Sequence, residues 1–92
     1  MKMNNPIKYY REIGERYLGN ASVEASEALR RVQLGHAFDS YLKLAEHDKN
    51  PEVAEMLYEL RECGRDPVVS RGNVGSVMDR HGIGAKSLSL VR

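Results

Sequence analysis

Cys63 stands between two cations, Arg61 and Arg65, each two residues away. Such neighbours favour the thiolate, the form in which a cysteine attacks carbon or binds a metal. The same residue also closes an apolar stripe of Val53, Met56, Leu57 and Leu60 at helical spacing, so it reads as a buried structural thiol. His36, Asp39, Lys43 and His47 share one polar helix face and include metal-ligand types. However, His36 and His47 are about 16 Å apart along a helix, and the Lys43 ammonium repels a cation placed between them. That face reads as solvated or facing a partner. His81, protonated, has the chemistry to donate to a phosphate, but the plain reading is a surface histidine. Spacing assembles no set of nucleophile, base and orienting group, so the expectation is a non-catalytic protein with no cofactor, no metal and no small-molecule substrate.

The remaining chemistry lies near the C-terminus, in Arg80-His81-Gly82-Ile83-Gly84-Ala85-Lys86-Ser87-Leu88. Glycine removes the side chain that would hold a phosphate away from the backbone, and a helix start attracts an anion. The Gly82-Ile83-Gly84 turn between two apolar-patterned pieces resembles the helix-hairpin-helix motif of DNA-binding proteins. The resemblance covers residues 74 to 92 and rests on a short, common pattern. It implies that Gly82, Gly84, Lys86 and Ser87 face phosphate beside Arg80, and that Ile83, Leu88 and Val91 point inward. Such contact is largely independent of base sequence. A structural turn or a flexible Gly-rich tail is the competing reading of the same residues. Upstream, Arg71-Gly72-Asn73-Val74-Gly75-Ser76 has the makings of an anion-binding nest, yet it lacks the Gly-Lys-Ser/Thr ending of a nucleotide-binding loop.

Charge sharpens this contrast between the two ends. The net charge of +1 argues against a strongly basic nucleic-acid protein, but residues 61–92 carry 6 Lys/Arg against 3 Asp/Glu, whereas residues 1–60 carry 8 against 10. With 41% apolar and 29% charged residues in a chain of 92, the composition is that of one small soluble domain, near the lower size for a self-sufficient core. No stretch has the length and apolarity of a membrane span. Met1 to Pro6 lacks the apolar core of a secretory signal, which points to a cytoplasmic protein.

Helices must position all of these residues. Asn5-Pro6 is a helix start, followed by Ile7, Tyr10, Ile13, Gly14, Tyr17 and Leu18 on one face, with Gly19-Asn20 as the expected end. Tyr9, Tyr10 and Tyr17 suggest a base-stacking platform, but Tyr10 and Tyr17 lie on the apolar stripe and read as core. The longest run without Pro spans Ser22 to His47, with Ser22 as its expected cap. In its first half Ala25, Ala28, Leu29 and Val32 share a face, with Glu24, Glu27, Arg30 and Arg31 opposite. From Leu34 the pattern inverts, and Ala37, Phe38, Tyr41, Leu42, Leu44 and Ala45 occupy the side the charges held. The spacing is compatible with one continuous helix or with a break at Gly35. Asn50-Pro51 opens a third helix that ends near Gly64, and Asn73 is the expected cap of a short helix from Val74 to Arg80.

The sequence therefore predicts an all-α fold: a small three-helix domain with a long central helix and a Gly-rich C-terminal helical hairpin or tail. Residues 1–92 form a single domain, with residues 1–66 as helical core and 67–92 as a basic segment. The expected function is a protein-interaction module, a regulator or inhibitor that occludes a surface, or a homodimer formed through the long helix. Its contact residues are Ala25, Leu29, Val32, His36, Asp39 and Lys43. The alternative is a sequence-nonspecific DNA-binding accessory protein that uses Arg80, Gly82, Gly84, Lys86 and Ser87.

Overall fold

The computed structural model describes residues 5–83, and among them there are four α-helices, α1 (Pro6–Val23), α2 (Glu27–His47), α3 (Pro51–Arg65) and α4 (Arg71–Arg80). The first three are the helices of the expected three-helix domain, and α4 is the short helix expected after it, here packed as a fourth member of the fold. Each starts on a side-chain cap that satisfies an amide the helix itself leaves open. Asn5 Oδ1 accepts from Lys8 N–H at 3.0 Å, Ser26 Oγ from Leu29 N–H at 3.3 Å, Asn50 Oδ1 from Glu52 N–H at 2.9 Å and Ser70 Oγ from Asn73 N–H at 3.0 Å.

Three expected boundaries shift. Gly19-Asn20 does not end α1; the helix runs one more turn, because that turn puts Ala21 fully inside the core beside Leu18. Ser22 consequently caps nothing, and its hydroxyl donates back to the Gly19 carbonyl at 2.8 Å within α1. The long helix begins at Glu27 on Ser26, leaving Glu24, Ala25 and Ser26 as the connector. In α4 the cap is Ser70 in place of Asn73, so the helix starts three residues earlier than expected.

Helix α2 is continuous through Gly35, so the chain does not break there. Its inward stripe is Arg30, Leu34, Ala37, Tyr41 and Leu44, one unbroken row at three- and four-residue steps. The inverted pattern in the sequence arises because the inner position of the first half is filled by a charged residue. Arg30 points inward, and Leu29 and Val32 are left on the outside, each 52% exposed.

Helix α1 packs most extensively on α2, α3 lies against α2, and α4 is held between α1 and α3. Helices α1 and α2 are antiparallel: the Tyr17 ring lies tilted against His36, Gly14 lies under Tyr41, Tyr10 stacks on His47, and Arg11 pairs with Asp48 at 2.7 Å. The close approach at Gly14 is obligatory, since a Cβ there would meet Tyr41 Cε2 at 2.7 Å. Val53, Met56, Leu60 and Cys63 form the inner row of α3 as the sequence indicated. Val69, Val74, Val77, Met78 and Ile83 join the same buried cluster as Leu18, Leu34 and Leu44.

Helix α4 ends in a glycine turn. Gly82 takes φ +70°, its N–H and that of Ile83 donate to the Asp79 and Met78 carbonyls at 3.2 and 2.9 Å, and Ile83 is buried. This is the left-handed C-terminal cap that glycine makes without steric cost.

Candidate protein-docking groove

The outer face of α2 and the facing side of α3 enclose an open groove of about 580 Å³. Helix α2 contributes Arg31, Val32, Leu34, Gly35, Phe38 and Asp39, with His36 at the outer rim, and α3 contributes Leu60, Arg61 and Gly64. Leu34, Phe38 and Leu60 make an apolar floor, because their helical spacing turns them toward the α2–α3 seam. Nothing stands within 4 Å above Gly35 on the α2 wall. Asp39 on one wall and Arg61 on the other are exposed and make no ion pair among the described residues. The groove is thus apolar below and carries one charge of each sign at its lips.

Its upper end is tied by a charged cluster. Arg31 donates to the Gly64, Asp66 and Pro67 carbonyls at 3.0, 3.2 and 3.1 Å and to Glu27 Oε2 at 2.9 Å. Two of these carbonyls, of Gly64 and Asp66, belong to the end of α3, where a cation also complements the helix dipole. Glu27 Oε2 further accepts from Val69 N–H at 3.1 Å. That bond, followed by the Arg31 contact, holds the Glu27 carboxyl below the usual glutamate range.

The expected contact residues fall mainly on one surface. Leu29, Val32, His36, Asp39 and Lys43 are all exposed along the outer face of α2, and Val32, His36 and Asp39 also line the groove. Ala25 is exposed but lies in the α1–α2 connector, off the helix. Sequence reasoning missed Arg31, Gly35, Phe38, Leu60, Arg61 and Gly64 as groove residues, because their shared surface depends on how α3 is laid against α2.

The other candidates are placed as follows. Arg80 forms an ion pair with Glu59 at 2.7 Å, and Gly82 makes the turn that ends α4. Gly84, Lys86 and Ser87 lie outside the described residues. His36 and His47 each lie against a tyrosine of α1, and among the described residues no group of His, Cys, Asp and Glu is arranged to hold a metal. Burial, with the Asp66 carboxylate adding to it, pushes the Cys63 thiol up, away from the reactive thiolate. No helix among the described residues is long and apolar enough to cross a membrane.

Compared with known proteins, the chain matches no family model, no curated protein and no solved structure.

Proposed function

We propose that the protein is a binding module that receives an amphipathic helix of a partner protein in the α2–α3 groove, and acts by covering that helix. The observation that carries the reading is the groove itself: an apolar floor flanked by Val32 and by the opposed charges of Asp39 and Arg61. Helix-in-groove recognition needs such a floor for the apolar ridge of the incoming helix, with polar lips to set its register. The occupant has a ridge of large aliphatic residues, an acidic residue toward Arg61 and a basic one toward Asp39.

The test is an NMR titration of labelled protein with a model amphipathic peptide that carries a Leu ridge edged by Glu and Lys. Expected are shifts of the Val32, Gly35, Asp39, Arg61 and Gly64 amides, abolished in Gly35→Trp, whose new side chain fills open space. Shifts confined to other faces, or none at millimolar peptide, overturn the reading. Self-association through α2 would appear in the same samples as slower diffusion without peptide, and it too counts against a partner-helix site.

DNA binding through the C-terminal segment is the second reading, favoured by Gly82 at positive φ with Ile83 turned inward. Those two features belong to a Gly-apolar-Gly hairpin, and they equally serve a helix cap. Anisotropy of a labelled duplex tests it: binding that weakens steeply with salt supports phosphate contact, and no binding at low salt removes it.

A further inference from the structure

His81 closes the C-terminal end of α4, and its side chain is 5% exposed. The ring is held between two glutamates of α3: Nε2 lies 3.1 Å from Glu59 Oε2, and Nδ1 lies 3.5 Å from Glu52 Oε2. A neutral imidazole has one N–H, so one ring nitrogen would present a lone pair to a carboxylate. The imidazolium satisfies both.

The wider surroundings agree. A cavity of about 50 Å³ beside the ring is lined by Arg11 and Glu15 of α1, Tyr41 of α2, Glu52 of α3 and Ile83. Arg11 is already paired with Asp48, and Arg80 with Glu59. Among the described residues, the acids around the ring are Glu15, Glu52 and Glu59, and the cations are Arg11, engaged by Asp48, and Arg80, engaged by Glu59. Glu52 and Glu59 both face the buried imidazole, and a proton on His81 offsets part of their charge.

We infer that His81 is a proton-operated latch that clamps the end of α4 to α3. With the proton on, the ring bridges Glu52 and Glu59 and holds the Gly82 turn with Ile83 in the core. As the pH rises and the proton leaves, one of the two contacts becomes repulsive and the end of α4 loosens. The latch lies apart from the α2–α3 groove and does not depend on what that groove binds.

The experiment is amide hydrogen exchange by NMR between pH 5.5 and 8, corrected for the intrinsic rate, with the His81 ring resonances followed in the same samples. Protection of the His81, Gly82 and Ile83 amides should be lost in part as His81 deprotonates, while that of the Leu34 amide in α2 holds constant. In His81→Gln the fall should vanish. In Glu52→Gln, a change at an exposed position, it should shrink. Equal protection in both protonation states, a fall that persists in His81→Gln, or a ring that does not titrate in this range while the protein is folded, overturns the latch.

Discussion

The Arg30 guanidinium donates to the Val69 carbonyl at 2.8 Å across 39 residues of sequence, from a side chain that is 7% exposed. The same group donates to the Glu24 and Ala25 carbonyls at 3.2 Å each. One buried cation thereby fastens the α1–α2 connector and the α3–α4 connector to the inner face of α2. Its charge has no carboxylate partner among these contacts and is carried by carbonyl dipoles, which leaves the connectors' acceptors satisfied without a turn of helix to do so.

Arg30→Met should therefore lower stability by about 3 kcal/mol, because a flexible apolar side chain fills the space but leaves three carbonyls without their donor. Arg30→Lys should recover only part of this, since a single ammonium is too compact to reach three acceptors spread along a guanidinium fork. Urea unfolding of the three proteins measures both. A loss below about 0.5 kcal/mol for Arg30→Met would mean that water replaces the guanidinium without cost.

The start of α2 offers a second measurement. Ser26→Ala should cost about 1 kcal/mol, the ordinary effect of removing an N-cap, whereas Ser22→Ala inside α1 should cost a few tenths or less. Equal losses at the two serines would contradict the placement of the connector. Both serines precede apolar helical runs, and a cap is recognised by the backbone turning away just before it. Composition does not carry that information, so the sequence favoured the wrong one. The same limit explains the end of α1. Gly19-Asn20 is a fair stop signal locally, and what overrides it is the burial of Ala21 against helices distant in sequence.

Other parts were plain in the sequence because local and tertiary demands agree. The Asn50-Pro51 start and the Val53, Met56, Leu60, Cys63 row of α3 follow from capping and a 3.6-residue period alone. In α2 they disagree. Arg30 occupies an inner position that a pattern of apolar residues assigns to the outside, so the sequence presents an inversion where the helix has none. The exposed row from Leu29 to Lys43 was legible, since Leu29 and Val32 stand among charges. The other wall of the groove was not, because Arg61 and Gly64 meet α2 only through the packing of α3.

Two glycines should respond oppositely to the same substitution. Gly14→Ala places a methyl group 2.7 Å from a carbon of the buried Tyr41 ring, so the ring or the helix must shift against its neighbours and a loss of about 1–3 kcal/mol is expected. Gly35→Ala meets open space on an exposed helix position and should raise stability by about 0.5–1 kcal/mol. Thermal or urea unfolding reads both signs. A stabilising Gly14→Ala would show that α1 and α2 separate at little cost, and a destabilising Gly35→Ala would show that the groove wall is not open.

Acid should weaken the α3–α4 contact through Glu59. Burial pushes its carboxyl up, but donation from Arg80 and His81 outweighs burial and holds the carboxyl below the ordinary glutamate value. A lowered folded value means that the unfolded chain takes up the proton first. The stabilisation is therefore fully present above the unfolded glutamate value of about 4.3, and is lost as the pH falls through the lower folded value. Stability measured from pH 6 down to pH 3 should decline less steeply in Glu59→Gln than in the parent protein, and the variant should be the weaker of the two at pH 6. Parallel curves for the two proteins would mean that Glu59 contributes nothing to the acid response, and that the carboxylates holding this end of the molecule are to be sought at Glu27 and Asp48 instead.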